Sequence, residues 1–68
     1  METQIKLKAI EREVLKQIAN GKTDREIAMN LHRGYSTIRL YIMGLFKTFR
    51  TNSRAEMVYM ACKEGILN

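Results

Sequence analysis

An all-α fold of four short helices is predicted by this sequence of 68 residues, on three observations. The chain contains no proline, and residues that favour helices dominate it. Its apolar residues recur at spacings of three and four, the period of a helix with one buried face. Stop signals cut the pattern into segments with short connections, and two of the segments open on a capping box. The length allows one domain, residues 1–68, built around one small core.

The first helix is read from Leu7, Ile10, Val14 and Ile18, with Leu15 and Ala19 widening the apolar face. Asn20-Gly21 ends it, because both residues tolerate the left-handed conformation that a helix stop needs. Thr23-Asp24-Arg25-Glu26 is a capping box that opens a second, short helix. Ile27, Ala28 and Leu31 form its inner face, and Gly34 is expected to break it. The third helix is expected from about Tyr35 to Phe49, with Ile38, Ile42, Leu45 and Phe49 as its buried stripe. Thr51-Asn52 is a turn, and Ser53-Arg54-Ala55-Glu56 is a second capping box. The fourth helix starts there and ends at Gly65. A short helix, a tight glycine-containing turn and a longer helix make a central helix-turn-helix.

Charge is distributed unevenly. The formal net charge is +5, and no acid occurs from Ile27 to Ala55, while Arg33, Arg39, Lys47, Arg50 and Arg54 fall in that stretch. A one-sided basic block is the electrostatic footprint of a polyanion site, although a solvated basic surface has the same composition. At about 100° per residue, the third-helix face opposite the buried stripe carries Ser36, Arg39, Leu40, Met43, Lys47 and Arg50. Apolar side chains exposed among cations suit the edges of base pairs. Arg39 can pair with guanine O6 and N7, and Leu40 or Met43 can pack on thymine methyls. Lys47 and Arg50 lie further along and suit phosphates. The alternative for Leu40 and Met43 is burial against a neighbouring element or subunit.

From Leu7 to Leu67 the chain resembles the LuxR/GerE-type helix-turn-helix domain of bacterial transcription regulators. The matching residues are Glu11-Arg12-Glu13-Val14-Leu15, Ile18-Ala19-Asn20-Gly21-Lys22-Thr23, Glu26-Ile27-Ala28, Leu31, Thr37-Ile38-Arg39, Arg54, Val58, Ala61 and Gly65-Ile66. The resemblance implies a scaffold helix at Thr23–Leu31, a recognition helix at Tyr35–Phe49 and a fourth helix used for dimerisation. By position it places base reading on Arg39, Leu40 and Met43. It places phosphate contacts around Thr23, Ser36, Thr37 and Lys47, to which the basic block adds Arg33 and Arg50. Lys8 stands where the family usually has threonine, so the first cap is expected to be missing or shifted upstream to Thr3. Arg33-Gly34 replaces the usual isoleucine-serine, so Gly34 is expected to cap the third helix without a side-chain oxygen, and Tyr41 and Gly44 replace a common histidine and asparagine. These changes point to a target sequence different from a relative's.

The fourth helix carries two apolar stripes. Met57, Val58, Ala61 and Gly65 are expected to meet the core, and Ala55, Tyr59, Cys62 and Ile66 to form a weak homodimer seam. A partly exposed helix with scattered apolar residues is the plainer alternative.

Other chemistries lack their residues. One cysteine, Cys62, and one histidine, His32, supply no ligand set for a metal and no disulfide framework, which fits a reducing cytoplasm. His32 is read as a helix-end or phosphate-facing residue. Glu11 and Glu13 cannot share a helix face as an acid–base pair. The glycines are isolated, so no phosphate loop exists. Tyr41 and Phe46 could be stacking platforms for single-stranded nucleic acid, but their helical spacing reads as core or flank. No apolar run approaches a membrane span. The expectation is therefore a non-enzymatic bacterial regulator that binds double-stranded DNA as a dimer, without cofactor, receiver or ligand-sensing domain. The alternative is an interaction module that pairs with a related regulator or with RNA polymerase.

Overall fold

The computed structural model describes residues 5–67. It contains α1 (Ala9–Ala19), α2 (Asp24–Asn30), α3 (Tyr35–Phe49) and α4 (Arg54–Lys63), and no strand among the described residues. The fold is all-α with a central helix-turn-helix, as expected. α1 and α3 each pack against the other three helices, and α3 brings the longest apolar stripe to the shared core.

The core follows the periodicity. Ile38, Ile42, Leu45 and Phe49 of α3 are buried against Val14, Leu15 and Ile18 of α1, Ile27 and Ala28 of α2, and Met57 and Ala61 of α4. No polar or charged residue is buried among the described residues. The fully enclosed side chains are therefore all apolar and contribute through area and close packing. Tyr41, Phe46 and Leu31 flank this core, half-buried.

Several expectations change. Ala19 is exposed, because α1 ends with it and the chain turns away. α4 ends at Lys63, so Gly65 lies outside the helix at φ 77° and is exposed. Leu67, past that turn, is the residue that enters the core. Ile66 also lies beyond the helix and packs partly against the core, so it does not continue a helical stripe from Cys62.

The helices stop by one device. After each, one residue turns left-handed, and its own backbone amide and that of the residue after it fold back on the last turn. Gly21 and Gly65 supply that conformation at φ 77° each, and His32 and Arg50 at 55° and 56°. At α2, the Arg33 amide donates to Ala28 O at 2.9 Å and the His32 amide to Met29 O at 3.3 Å. At α3, the Thr51 amide donates to Phe46 O at 3.0 Å and the Arg50 amide to Lys47 O at 3.2 Å. So His32 ends α2 in place of Gly34, and Gly34 is the N-cap of α3, without a side-chain hydrogen bond, as expected of a glycine.

The starts differ. Thr23 and Glu26 form the full capping box at α2. At α1 the lysine side chain has no oxygen to offer, but Glu11 still accepts the Lys8 amide at 2.8 Å, which is half a box. The upstream alternative, Thr3, lies outside the described residues. At α4, Ser53 Oγ accepts the Glu56 amide at 3.1 Å. The Glu56 carboxylate bonds the Thr51 hydroxyl instead of the Ser53 amide, and the Thr51 Oγ1 accepts that amide at 3.1 Å. The expected second box is thus closed through Thr51.

Candidate nucleic-acid interface

α2 packs against α3 and leaves the outer face of α3 open. Leu40 is 67% exposed and Met43 52%, against a mean near zero for the opposite stripe of the same helix. This disposes of the alternative that the two are buried within the domain. Around them Ser36, Thr37, Arg39 and Lys47 are all exposed. Arg50 is exposed too, but its left-handed backbone takes it off the helical wheel, so the angle read from the sequence does not apply to it.

The start of α3 is bare. Gly34 caps the helix with extended backbone and no side-chain hydrogen bond. The first-turn amides of a helix have no intrahelical acceptor and carry the positive end of its dipole. Exposed Ser36 and Thr37 hydroxyls flank those amides, and exposed Arg33 precedes them. Together they offer donors to an anion such as a phosphate. Thr23 stands at the start of α2, where its Oγ1 accepts the Glu26 amide at 3.1 Å. The Thr23 backbone amide, then its side chain, hydrogen-bond the Glu26 carboxylate, and Lys22 adds a favourable charge. These hold its pKa below the ordinary glutamate value.

Arg39 is not a free cation. Its Nη1 donates to Asp24 Oδ2 at 3.1 Å. Arg54, at the start of α4, donates to the same oxygen from Nη2 at 3.1 Å, and that nitrogen lies 2.8 Å from Oδ1. Asp24 is the enclosed member, its side chain 10% exposed, while those of Arg39 and Arg54 are 53% and 41% exposed. The Tyr35 ring has Arg25 4.8 Å and Arg39 6.0 Å from its centroid. Sequence reasoning missed this cluster. Asp24 and Arg39 are 15 residues apart on different helices, and no periodicity links them.

Elsewhere, Ala55, Tyr59 and Cys62 are exposed on α4. Tyr59 has the Lys63 ammonium 5.8 Å from its ring centroid. Cys62 and Ile66 border a cleft between α1 and α4 with Arg12, Lys16 and Ala19. The four residues expected as a seam therefore divide, with Ile66 set apart by the end of the helix. His32 is exposed and serves as the left-handed stop of α2. Among the described residues no group of His, Cys, Asp or Glu side chains is placed to hold a metal ion. No helix there is long and apolar enough to cross a membrane.

The family model for bacterial regulatory proteins of the luxR family, GerE, matches residues 6–61. No curated protein matches the chain.

Proposed function

The chain belongs to the luxR family of bacterial regulatory proteins, and on that premise we propose that it is a sequence-specific regulator that binds duplex DNA as a weak homodimer. Residues 1–68 act as one domain, in the cytoplasm. The observation that carries this reading is the outer face of α3, where Leu40 and Met43 stand exposed beside Arg39 and Lys47. Large apolar side chains in water are unfavourable unless a partner covers them. A major groove admits a helix and offers thymine methyls beside guanine acceptors. Arg39, Leu40 and Met43 read base edges. Thr23, Arg33, Ser36, Thr37, Lys47 and Arg50 contact phosphates, the first-turn amides of α3 adding to them. Ala55, Tyr59 and Cys62, with Ile66 at the edge, meet the same residues of a second copy.

The test is selection from random duplexes, followed by binding to selected and scrambled sites at two salt concentrations. The reading expects a selected motif with two-fold symmetry, and affinity for both duplexes that falls steeply with salt. If the salt-dependent affinity is absent, α3 is not a DNA-binding face. The exposed α4 face would then support the other reading, pairing with a related regulator or with RNA polymerase.

A further inference from the structure

The recognition face contains one acid whose placement is hard to explain by charge alone. A DNA-binding surface gains from cations and loses from carboxylates near phosphate. Asp24 nevertheless lies against Arg39, in the first turn of α2. Its stabilising interaction with the helix dipole would be available to an exposed acid pointing elsewhere. Instead the carboxylate is largely enclosed and gathers two guanidinium groups, one from α3 and one from α4.

We propose that Asp24 is a specificity-determining positioning residue: its carboxylate, tethered by Arg54, fixes the guanidinium of Arg39 in the orientation that reads a guanine. This rests on the reading of α3 as the base-contacting helix. An arginine side chain has many rotamers, and ordering one on binding carries an entropic cost that weakens the contact. Here that ordering is done in the free protein. Asp24 takes one N–H of Arg39 through Nη1. The Tyr35 ring, one turn earlier on α3, lies 6.0 Å from the guanidinium carbon at the outer edge of cation–π reach. A guanidinium has five N–H donors in a planar fork, so donors remain for the O6 and N7 of guanine. The side chain is 53% exposed, so the remaining part is open to a duplex. Arg54 neutralises the acid and holds it from α4, donating to Oδ2 at 3.1 Å with the same nitrogen 2.8 Å from Oδ1. Asp24 itself touches no base. It trades some non-specific attraction for a better-ordered contact.

That trade gives a signature that simple loss of structure does not. Asp24→Ala, Asp24→Asn, Arg39→Ala and the Asp24→Ala/Arg39→Ala double variant are compared with the parent. Each is titrated with the selected duplex, with the same duplex changed at the base pair that Arg39→Ala desensitises, and with a scrambled duplex. Thermal unfolding is followed in parallel. Asp24→Ala should bind scrambled DNA as well as the parent or better, because a negative charge has left the face. Its preference for the selected base pair should fall about tenfold, approaching what loss of an oriented bidentate contact removes. Asp24→Asn, which keeps an acceptor oxygen, should retain part of the preference. In the Arg39→Ala background, Asp24→Ala should change the preference no further, since the effect runs through Arg39.

An unchanged or sharper preference in Asp24→Ala overturns the proposal, the latter showing that Asp24 holds Arg39 away from DNA. An equal loss on all three duplexes, with a lower melting temperature, also overturns it and leaves Asp24 a structural ion pair. If Asp24→Ala does not fold, full retention of preference by Asp24→Asn together with loss of the ion pair to Arg39 overturns it. If the parent itself shows no base preference, the DNA-reading assignment of α3 fails first, and that outcome is distinct from the others.

Discussion

Thr23 and Glu26 hold each other's backbone at the start of α2: the Thr23 amide donates to Glu26 Oε1 at 2.8 Å, and the Glu26 amide donates to Thr23 Oγ1 at 3.1 Å. The first bond needs an acceptor at Glu26 and is strongest when the carboxylate is ionised. The folded pKa is lowered, chiefly by the Thr23 amide and then by its side chain. Its contribution is therefore complete above the unfolded value, about 4.3 for glutamate, and is lost as pH falls through the lower folded value. Glu26→Gln keeps an acceptor and removes the titration. In urea titrations from about pH 6 down to about pH 3, the gap between parent and variant should narrow as pH falls. A constant gap would detach the cap from acid stability.

Arg39→Ala should cost roughly 1–3 kcal/mol on the selected site and relax base preference there. The motive is its half-exposed, ordered position beside Leu40 and Met43. An equal loss on every duplex would make it a phosphate contact only.

Lys47→Ala and Arg50→Ala should weaken binding uniformly and lower the salt slope by about one each. Both residues are exposed at the far end of α3. The Arg50 variant also alters a left-handed helix stop at φ 56°, so its melting temperature must be measured beside its affinity. Unchanged salt slopes in both would remove them from the interface.

Gly44→Ala should raise stability by about 1 kcal/mol, or about 4–8 °C in melting temperature for a domain of this size. Gly44 lies inside α3 with exposed surroundings, and a Cβ there meets no atom within 4 Å. Its carbonyl already accepts the Thr48 hydroxyl at 3.0 Å, which alanine leaves intact. No rise in thermal unfolding would show that backbone entropy is not what this glycine costs. A stabilised variant that binds DNA less well would show that the missing side chain serves the duplex.

One recognition helix reads only a few base pairs, and two helices about one DNA turn apart combine their free energies. The exposed residues Ala55, Tyr59 and Cys62 on α4 motivate the pairing test. Tyr59→Glu or Cys62→Asp should abolish pairing by placing an unpaired charge in the seam, and should weaken binding to a palindromic site. Both residues are exposed, so the monomer should keep its melting behaviour. Sedimentation of each variant decides the matter, and dimers as stable as the parent's would move the seam elsewhere.

Much of the architecture was legible from local signals, because local physics sets it. The spacing of Ile38, Ile42, Leu45 and Phe49 determined which side of α3 is buried, and so which side carries Leu40 and Met43. Thr23 with Glu26 fixed the start of α2, and Gly21 the end of α1, since capping and left-handed turns depend on a few adjacent residues. Where the stop is neither glycine nor asparagine, the signal vanishes. His32 and Arg50 turn left-handed at a steric cost that neither residue type announces. The same limit explains Ile66 and Leu67, whose burial depends on the chain folding back after Gly65. Above all, the tertiary structure decided the partners of Arg39. The ion-pair cluster forms where the first turns of α2 and α4 meet the second turn of α3 at Asp24. Which turns meet is set by the packing of α2, α3 and α4 around a shared core, not by any spacing along the chain.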